Sequence, residues 1–459
     1  MMRIQGMLRA MRGGPLALAA ALLFVGPWIH RPAIAQPTEG EAREEDKGET
    51  AVFDTGAAPR TRIPLARGLS LGFRTELQYQ REDNFDLDKT VPDDEWFFEP
   101  LFRVALSYAP RPMFSLLIDV EGARRFLDDE EDRKRSETRL ELKQAYLSVN
   151  EPVRGLTLQA GRIRFKDTRE WLYDEELDGG RIFYTFSRFA AEASVTQRNN
   201  RDLLHGGGGE DITNIVLIGR YAPVKDVEIA AYGFLRDDRS AANESPRFVG
   251  LHSHGEPVKR LEYWLEAAMV RGKSGTRDIE GSGFDVGATY GFKVPLRPAI
   301  TLGYAFGSGD PDTTDGTDKS FRQTGFQENE DKISGLRRFK YYGELVDPEL
   351  SNIHVMTAGV GIRPERNVSM EFIFHRYRQD EAFRRLRIAG RDTTQLEKDP
   401  NGISKDLGHE YDLVVAYRNS PRTFSAKGIF GRFDPGKAFD DESPTSRAYF
   451  TELKVAYEF

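Results

Sequence analysis

From Leu69 to the final residue, Phe459, apolar and polar side chains keep returning to alternate positions. Only an extended chain turns that pattern into one greasy and one wet face. Leu69, Leu71, Phe73, Leu77 and Tyr79 fall on one side of the first such segment, and Ser70, Arg74, Glu76, Gln78 and Gln80 on the other. Phe284, Val286, Ala288, Tyr290 and Phe292 repeat the pattern, as do Tyr411, Leu413, Val415 and Tyr417. The last segment sets Tyr449, Thr451, Leu453, Val455, Tyr457 and Phe459 against Glu452, Lys454 and Glu458. Nothing comparable occurs at helical spacing, so the chain is all-β.

The connections between these segments are of two kinds. Short ones usually carry proline, as in Ala109-Pro110-Arg111-Pro112, Glu151-Pro152, Ala222-Pro223, Glu256-Pro257, Val294-Pro295, Arg363-Pro364 and Ser420-Pro421. Longer polar ones lie between them, near 81–97, 125–138, 167–180, 198–211, 237–246, 273–282, 310–351, 379–408 and 435–444. In an up-and-down barrel every second connection emerges on the same side, short turns toward the periplasm and long loops toward the outside; these connections imply a transmembrane antiparallel β-barrel of about 18 strands. A soluble sandwich would show Greek-key connections instead. A charged fraction of 30% and a mean hydropathy of -0.54 do not oppose this, because lipid-facing and lumen-facing residues average out in any window. The aromatic end Tyr457–Phe459 matches the usual close of an outer-membrane barrel, where pairing with the first strand removes an otherwise aggregation-prone edge.

Ahead of the barrel, Arg3, Arg9 and Arg12 precede an apolar run from Leu16 to Val25, and Ala33-Ile34-Ala35 supplies small residues for signal peptidase. Residues 1–35 therefore read as a signal peptide, 36–62 as a flexible periplasmic segment too polar to order itself, and 63–459 as the barrel. The apolar run is shorter than the ~20 residues a spanning helix needs. Lacking cysteine, the chain makes no disulfides, and its net charge of -8 argues against a nucleic-acid partner.

Two segments resemble the alginate export family of outer-membrane pores. One is Gly161-Arg162-Ile163-Arg164-Phe165 followed by Arg169-Glu170-Trp171-Leu172-Tyr173-Asp174 and Asp178-Gly179. The other lies in the longest loop: Phe321-Arg322-Gln323-Thr324-Gly325-Phe326-Gln327-Glu328-Asn329, Tyr341-Tyr342-Gly343-Glu344, and Asp347-Pro348-Glu349-Leu350-Ser351-Asn352. The resemblance implies a monomeric pore in outer-membrane lipid, without cofactor, that passes a secreted polysaccharide. It also implies feeding by a periplasmic export or synthesis partner, for which a tetratricopeptide-repeat protein is the expected kind.

The residues by themselves support a narrower reading. A patternless loop of about 40 residues is usually functional or disordered. Arg322, Gln323, Tyr342 and Glu344 would give such a loop the stacking faces and polar groups a sugar chain needs. On the wet faces of the strands, Arg74, Arg103, Lys143, Arg162, Arg164 and Arg181 are candidates to meet a polymer in the lumen, or else to pair with Glu76, Glu121 and Glu141 across the wall. Trp171, Tyr173 and Asp174 would either fold in and narrow the pore or anchor a strand end at the membrane interface. Positive and negative lumen candidates occur in similar number, so a neutral polymer, a differently charged one or a smaller solute stays open alongside a polyuronate. A general porin is the alternative, and a barrel hydrolase the third reading. No G-x-S-x-G or HExxH occurs. His252 and His254 share a strand face but want a third metal ligand, and Asp310, Asp312, Asp315 and Asp318 could offer oxygens to calcium without matching an EF-hand.

Overall fold

A computed structural model describes residues 58–90, 93–129, 135–204, 209–387, 396–440 and 445–458. The signal peptide, most of the N-terminal segment, His205 and Phe459 lie outside the described residues. One sheet of 20 strands contains two short additions, Ile63–Ala66 and Thr317–Asp318, the latter paired parallel to its neighbour; the other 18 are the antiparallel staves of a closed barrel. Closure is made by the first stave, Leu69–Asp83, pairing with the last, Ala448–Glu458, from Arg74 opposite Glu458 to Asp83 opposite Tyr449. That pairing satisfies both edges, as a lipid environment demands.

Alternation decides which way each side chain points. Val249, Leu251, Met269, Leu302 and Phe372 stand out from the wall at 50–72% exposure, the band that lipid covers. Their strand neighbours Glu266, Asp285, Glu371 and His252 point inward and are buried. At the proline-rich turns, Phe189 stacks on Tyr221 at 4.7 Å and Tyr290 meets Phe292 edge-on at 5.0 Å, consistent with an aromatic girdle at the periplasmic rim.

One expected long loop is absent. Across 273–282 the staves Leu261–Ser274 and Arg277–Gly291 run on to a two-residue turn at Gly275-Thr276. The polar residues there, which looked like loop, are cross-strand ion pairs: Arg271–Glu280 at 3.0 Å and Lys273–Asp278 at 2.6 Å. Charge alone does not separate a loop from a strand that has left the membrane.

Candidate functional site

The connection between the staves Ala299–Gly307 and Ile353–Glu365 does not stay outside. Residues 308–352 descend into the barrel. Near the periplasmic end, Ser334 N–H donates to Glu371 at 2.9 Å, Leu336 N–H donates to Ser369 Oγ at 3.0 Å, and Arg363 donates to the carbonyls of Ser334 and Gly335, both at 2.8 Å. On the way back the N–H groups of Leu345 and Val346 bond the Glu410 carboxylate at 2.8 and 3.1 Å, and Tyr377 donates its hydroxyl to the Tyr342 carbonyl at 2.7 Å. Gly343 makes that return possible: its φ is +115°, and a Cβ there would sit 2.1 Å from the Tyr377 hydroxyl.

A second inward loop, 167–173, clamps the first. Asp167 ties its own turn by accepting from the N–H groups of Trp171, Leu172 and Tyr173 at 2.9–3.2 Å. Trp171 Nε1–H donates to the Tyr342 hydroxyl at 3.2 Å while its ring stacks on Phe321 at 5.9 Å. Arg169 bonds Asp285 at 2.9 Å and lies over the rings of Tyr341 and Trp264 at 4.0 and 4.5 Å. Phe321, Phe326, Phe339, Leu345 and Leu350 join this cluster, each no more than 4% exposed. The lumen thus holds a hydrophobic core of its own, built from loops that are mostly polar in sequence. Glu170 sits between Lys166 at 2.5 Å and Arg338 at 2.8 Å, and burial pushes its carboxyl up to about 8 against the pull of those cations.

The structure disperses the expected site residues into three settings. Gln323, Tyr342 and Trp171 are buried in the contact between the two inward loops, Tyr173 turns to the wall with its ring edge-on to Phe165 at 6.0 Å and its hydroxyl 3.5 Å from Glu192, and Glu344 accepts from Lys340 N–H at 3.0 Å. All four hydrogen-bonding positions of the Gln323 amide are used: Nε2 donates to the Trp171 carbonyl at 3.1 Å and Asn329 Oδ1 at 2.9 Å, and Oε1 accepts from Asn329 and Leu350 N–H, both at 3.1 Å. Arg322 is held between Glu244 and Asp318 toward the outer end. Wall residues form the third setting. Arg103 forks onto Asp119, Arg162 bonds Asp178 at 2.6 Å and the carbonyls of Leu142, Asn199 and Asn200, and Arg164 forks onto Asp174. Arg181 bonds Gln159 at 2.8 Å, and Arg74 reaches Glu458 at 3.6 Å. Partners do exist across the wall, but they are mostly not the Glu76, Glu121 and Glu141 that the sequence suggested.

Between the second loop, the tip of the first at Gly325–Glu328, and the wall lies an open cavity of about 550 Å³. It gathers Arg103, Lys143, Arg164, Asp174 and several residues that alternation did not single out, among them Glu175, Glu176, Arg198 and Arg201. They form a chain of pairs: Lys143–Glu176 at 3.2 Å, Arg201–Glu176 at 3.3 Å, Arg201–Glu175 at 3.5 Å and Arg198–Glu175 at 2.6 Å. The cavity lining carries five cations and seven carboxyl groups, so it is mixed in sign. Arg198 and Arg201 belong to the loop 198–211, whose inward fold has no signature in a single sequence. The aspartates of the 310–318 loop turn to their own neighbours: Asp310 pairs with Arg277 at 2.8 Å and Asp315 with Lys319 at 2.7 Å.

The profile of the family described as "Alginate export" matches residues 67–452. The chain belongs to that family. It is accordingly an outer-membrane β-barrel. The alginate production protein AlgE of Azotobacter vinelandii is 27% identical over 143 residues, 30% of this chain and 28% of that protein, so the match spans little more than a quarter of the relative's length. Among solved structures, Pseudomonas aeruginosa OccK8 (OprE) superposes with a TM-score of 0.55 at 13% identity, covering 86% of this chain and 99% of that one. Pseudomonas aeruginosa OccK5 (OpdH) gives 0.54 at 11%, covering 86% and 99%. At such identities these likenesses concern the barrel fold.

Proposed function

We propose that the barrel is a passive export pore for a secreted polysaccharide, alginate-like and acidic, moving from periplasm to exterior. The observation that carries this is the cavity beside Arg164, in which guanidinium and ammonium groups are all engaged by carboxylates at exchangeable distances. A uronate can replace Glu175 or Glu176 on Arg201 and Lys143 in turn, because Arg–carboxylate forks are formed and broken between equivalent partners. A lumen of one positive sign would hold a polyanion too tightly to release it; alternating pairs let it pass stepwise. Asn199, Asn200 and Gln327 line the same space and offer hydroxyl partners. The two inward loops set the bore, with Trp171, Tyr173 and Tyr342 as its rigid wall and Gln323 as its staple.

In this reading the pore works as a monomer without cofactor, residues 1–35 direct export, and the periplasmic segment 36–62 serves a tetratricopeptide-repeat partner. Transport rather than catalysis is its activity. The test is current through single barrels in planar bilayers with polymer added to the periplasmic side. An alginate oligomer should interrupt the current at micromolar to millimolar concentration, a neutral dextran of equal length should not, and Arg164→Gln with Arg201→Gln should shorten the interruptions. Equal interruption by both polymers, indifferent to the substitutions, sinks an acidic substrate. Interruption by neither leaves the small-solute porin.

A further inference from the structure

The stave Glu244–Val258 carries His252 and His254 two residues apart, so both rings share the lumen face in the stave's periplasmic half. The preceding stave, Val227–Asp238, brings Glu228 opposite His254. That carboxylate is the third ligand the sequence lacked, and it is supplied by strand register. Glu228 Oε1 lies 3.2 Å from His252 Nε2, the two imidazole centroids are 5.6 Å apart, and one donor atom from each residue falls within 4.8 Å of the others. Two ligands bonded at 2.0–2.1 Å in a tetrahedron stand about 3.3 Å from each other, so the Glu228–His252 edge already has the required length. Among the described residues no other cluster of this kind occurs.

We propose that Glu228, His252 and His254 form a transition-metal site in the periplasmic half of the lumen, taking Zn²⁺ or an ion of similar preference. Two imidazoles and one carboxylate suit zinc, and calcium or magnesium would want more oxygen ligands. No hydrogen bond holds the His254 ring among the described residues, so it can turn onto an ion with little loss. Arg220 Nε, 3.6 Å from the same Glu228 oxygen, fixes the carboxylate, as outer partners of metal ligands do. Three protein ligands leave a fourth position open to the lumen, where water or a passing carboxylate can bind.

The experiment is zinc titration into the purified, detergent-folded barrel, read by competition with a chromophoric chelator, with Co²⁺ as a visible reporter of low coordination. One zinc per chain and a tetrahedral-type cobalt absorption are expected. His254→Gln and Glu228→Gln should each weaken zinc by at least about tenfold, since even loss of an outer partner costs that much. His354→Gln with His409→Gln, both near the outer end, should leave it unchanged. Heat-modifiable electrophoretic mobility checks that each variant is a closed barrel. Zinc affinity that survives both ligand substitutions in folded barrels, or no stoichiometric binding to the wild type, overturns the site. Failure here does not touch the export reading, whose test uses polymer without added metal.

Discussion

If Gln323 is what fastens the two inward loops together, Gln323→Ala should loosen the constriction while sparing the barrel. The amide is 4% exposed and fills four hydrogen-bonding positions. Alanine leaves the Trp171 carbonyl, the Leu350 N–H and the Asn329 amide without that partner. Each buried group so stranded costs about 1–3 kcal/mol, and partial rescue by water brings the sum to about 3–5 kcal/mol. Because about 1.4 kcal/mol is tenfold in an equilibrium, local opening should rise by about 10²-fold to several thousandfold. Hydrogen exchange should register this as lost protection at residues 171–173 and 321–350. Amides of the staves, such as those of Val414 and Val415, should keep theirs, since closure of the sheet does not involve Gln323. Single-channel records should show added current noise and a larger mean conductance. Protection that falls by less than about fivefold in both loops would refute the claim that this amide holds the lumen core.

Charge, backbone and pH offer further tests. Arg162→Glu with Arg164→Glu changes the lumen by four charges; at ~8 Å through water each is worth about 0.5 kcal/mol before screening, so the reversal potential under a salt gradient should move clearly toward cation preference. An unmoved potential places both arginines off the ion path. Gly343→Ala should cost about 1–3 kcal/mol from the backbone conformation alone, besides the clash with Tyr377; increased thermolysin cleavage within 308–352 of an otherwise folded barrel is the expected outcome. Burial holds the Glu344 carboxyl at about 8, with the carboxylates of Glu452 and Glu330 adding to it against Lys427. The seated loop therefore keeps a proton that the unseated loop releases near pH 4–5, so seating is strongest below that pH and weakens as pH rises through about 8. Current noise should grow from pH 5 to pH 8.5, and Glu344→Gln should flatten the trend.

The barrel was legible in the sequence because its cause is local. A side chain every second residue must choose lipid or lumen, and the alternation at Phe284–Phe292 or Tyr449–Tyr457 states that choice without reference to any partner. Proline at the short turns and family motifs at 161–179 and 321–352 were legible for the same reason. What the tertiary structure alone decided was everything that depends on a residue's partner across the lumen. Arg164 meets Asp174 and not Glu121 because staves Leu156–Lys166 and Asp174–Phe186 are neighbours in one register. Gln323, chosen as a sugar-binding donor, spends its whole valence on Trp171, Asn329 and Leu350, a fact that only the descent of two loops into the same space creates. The stretch 273–282 looked like loop because charge reports water, and a strand beyond the membrane is as wet as a loop. Glu228 joins the two histidines 24 and 26 residues onward only because the neighbouring stave carries it there. Periodicity is a property of one segment and can be read from it; pairing belongs to two, and a single sequence does not say which two.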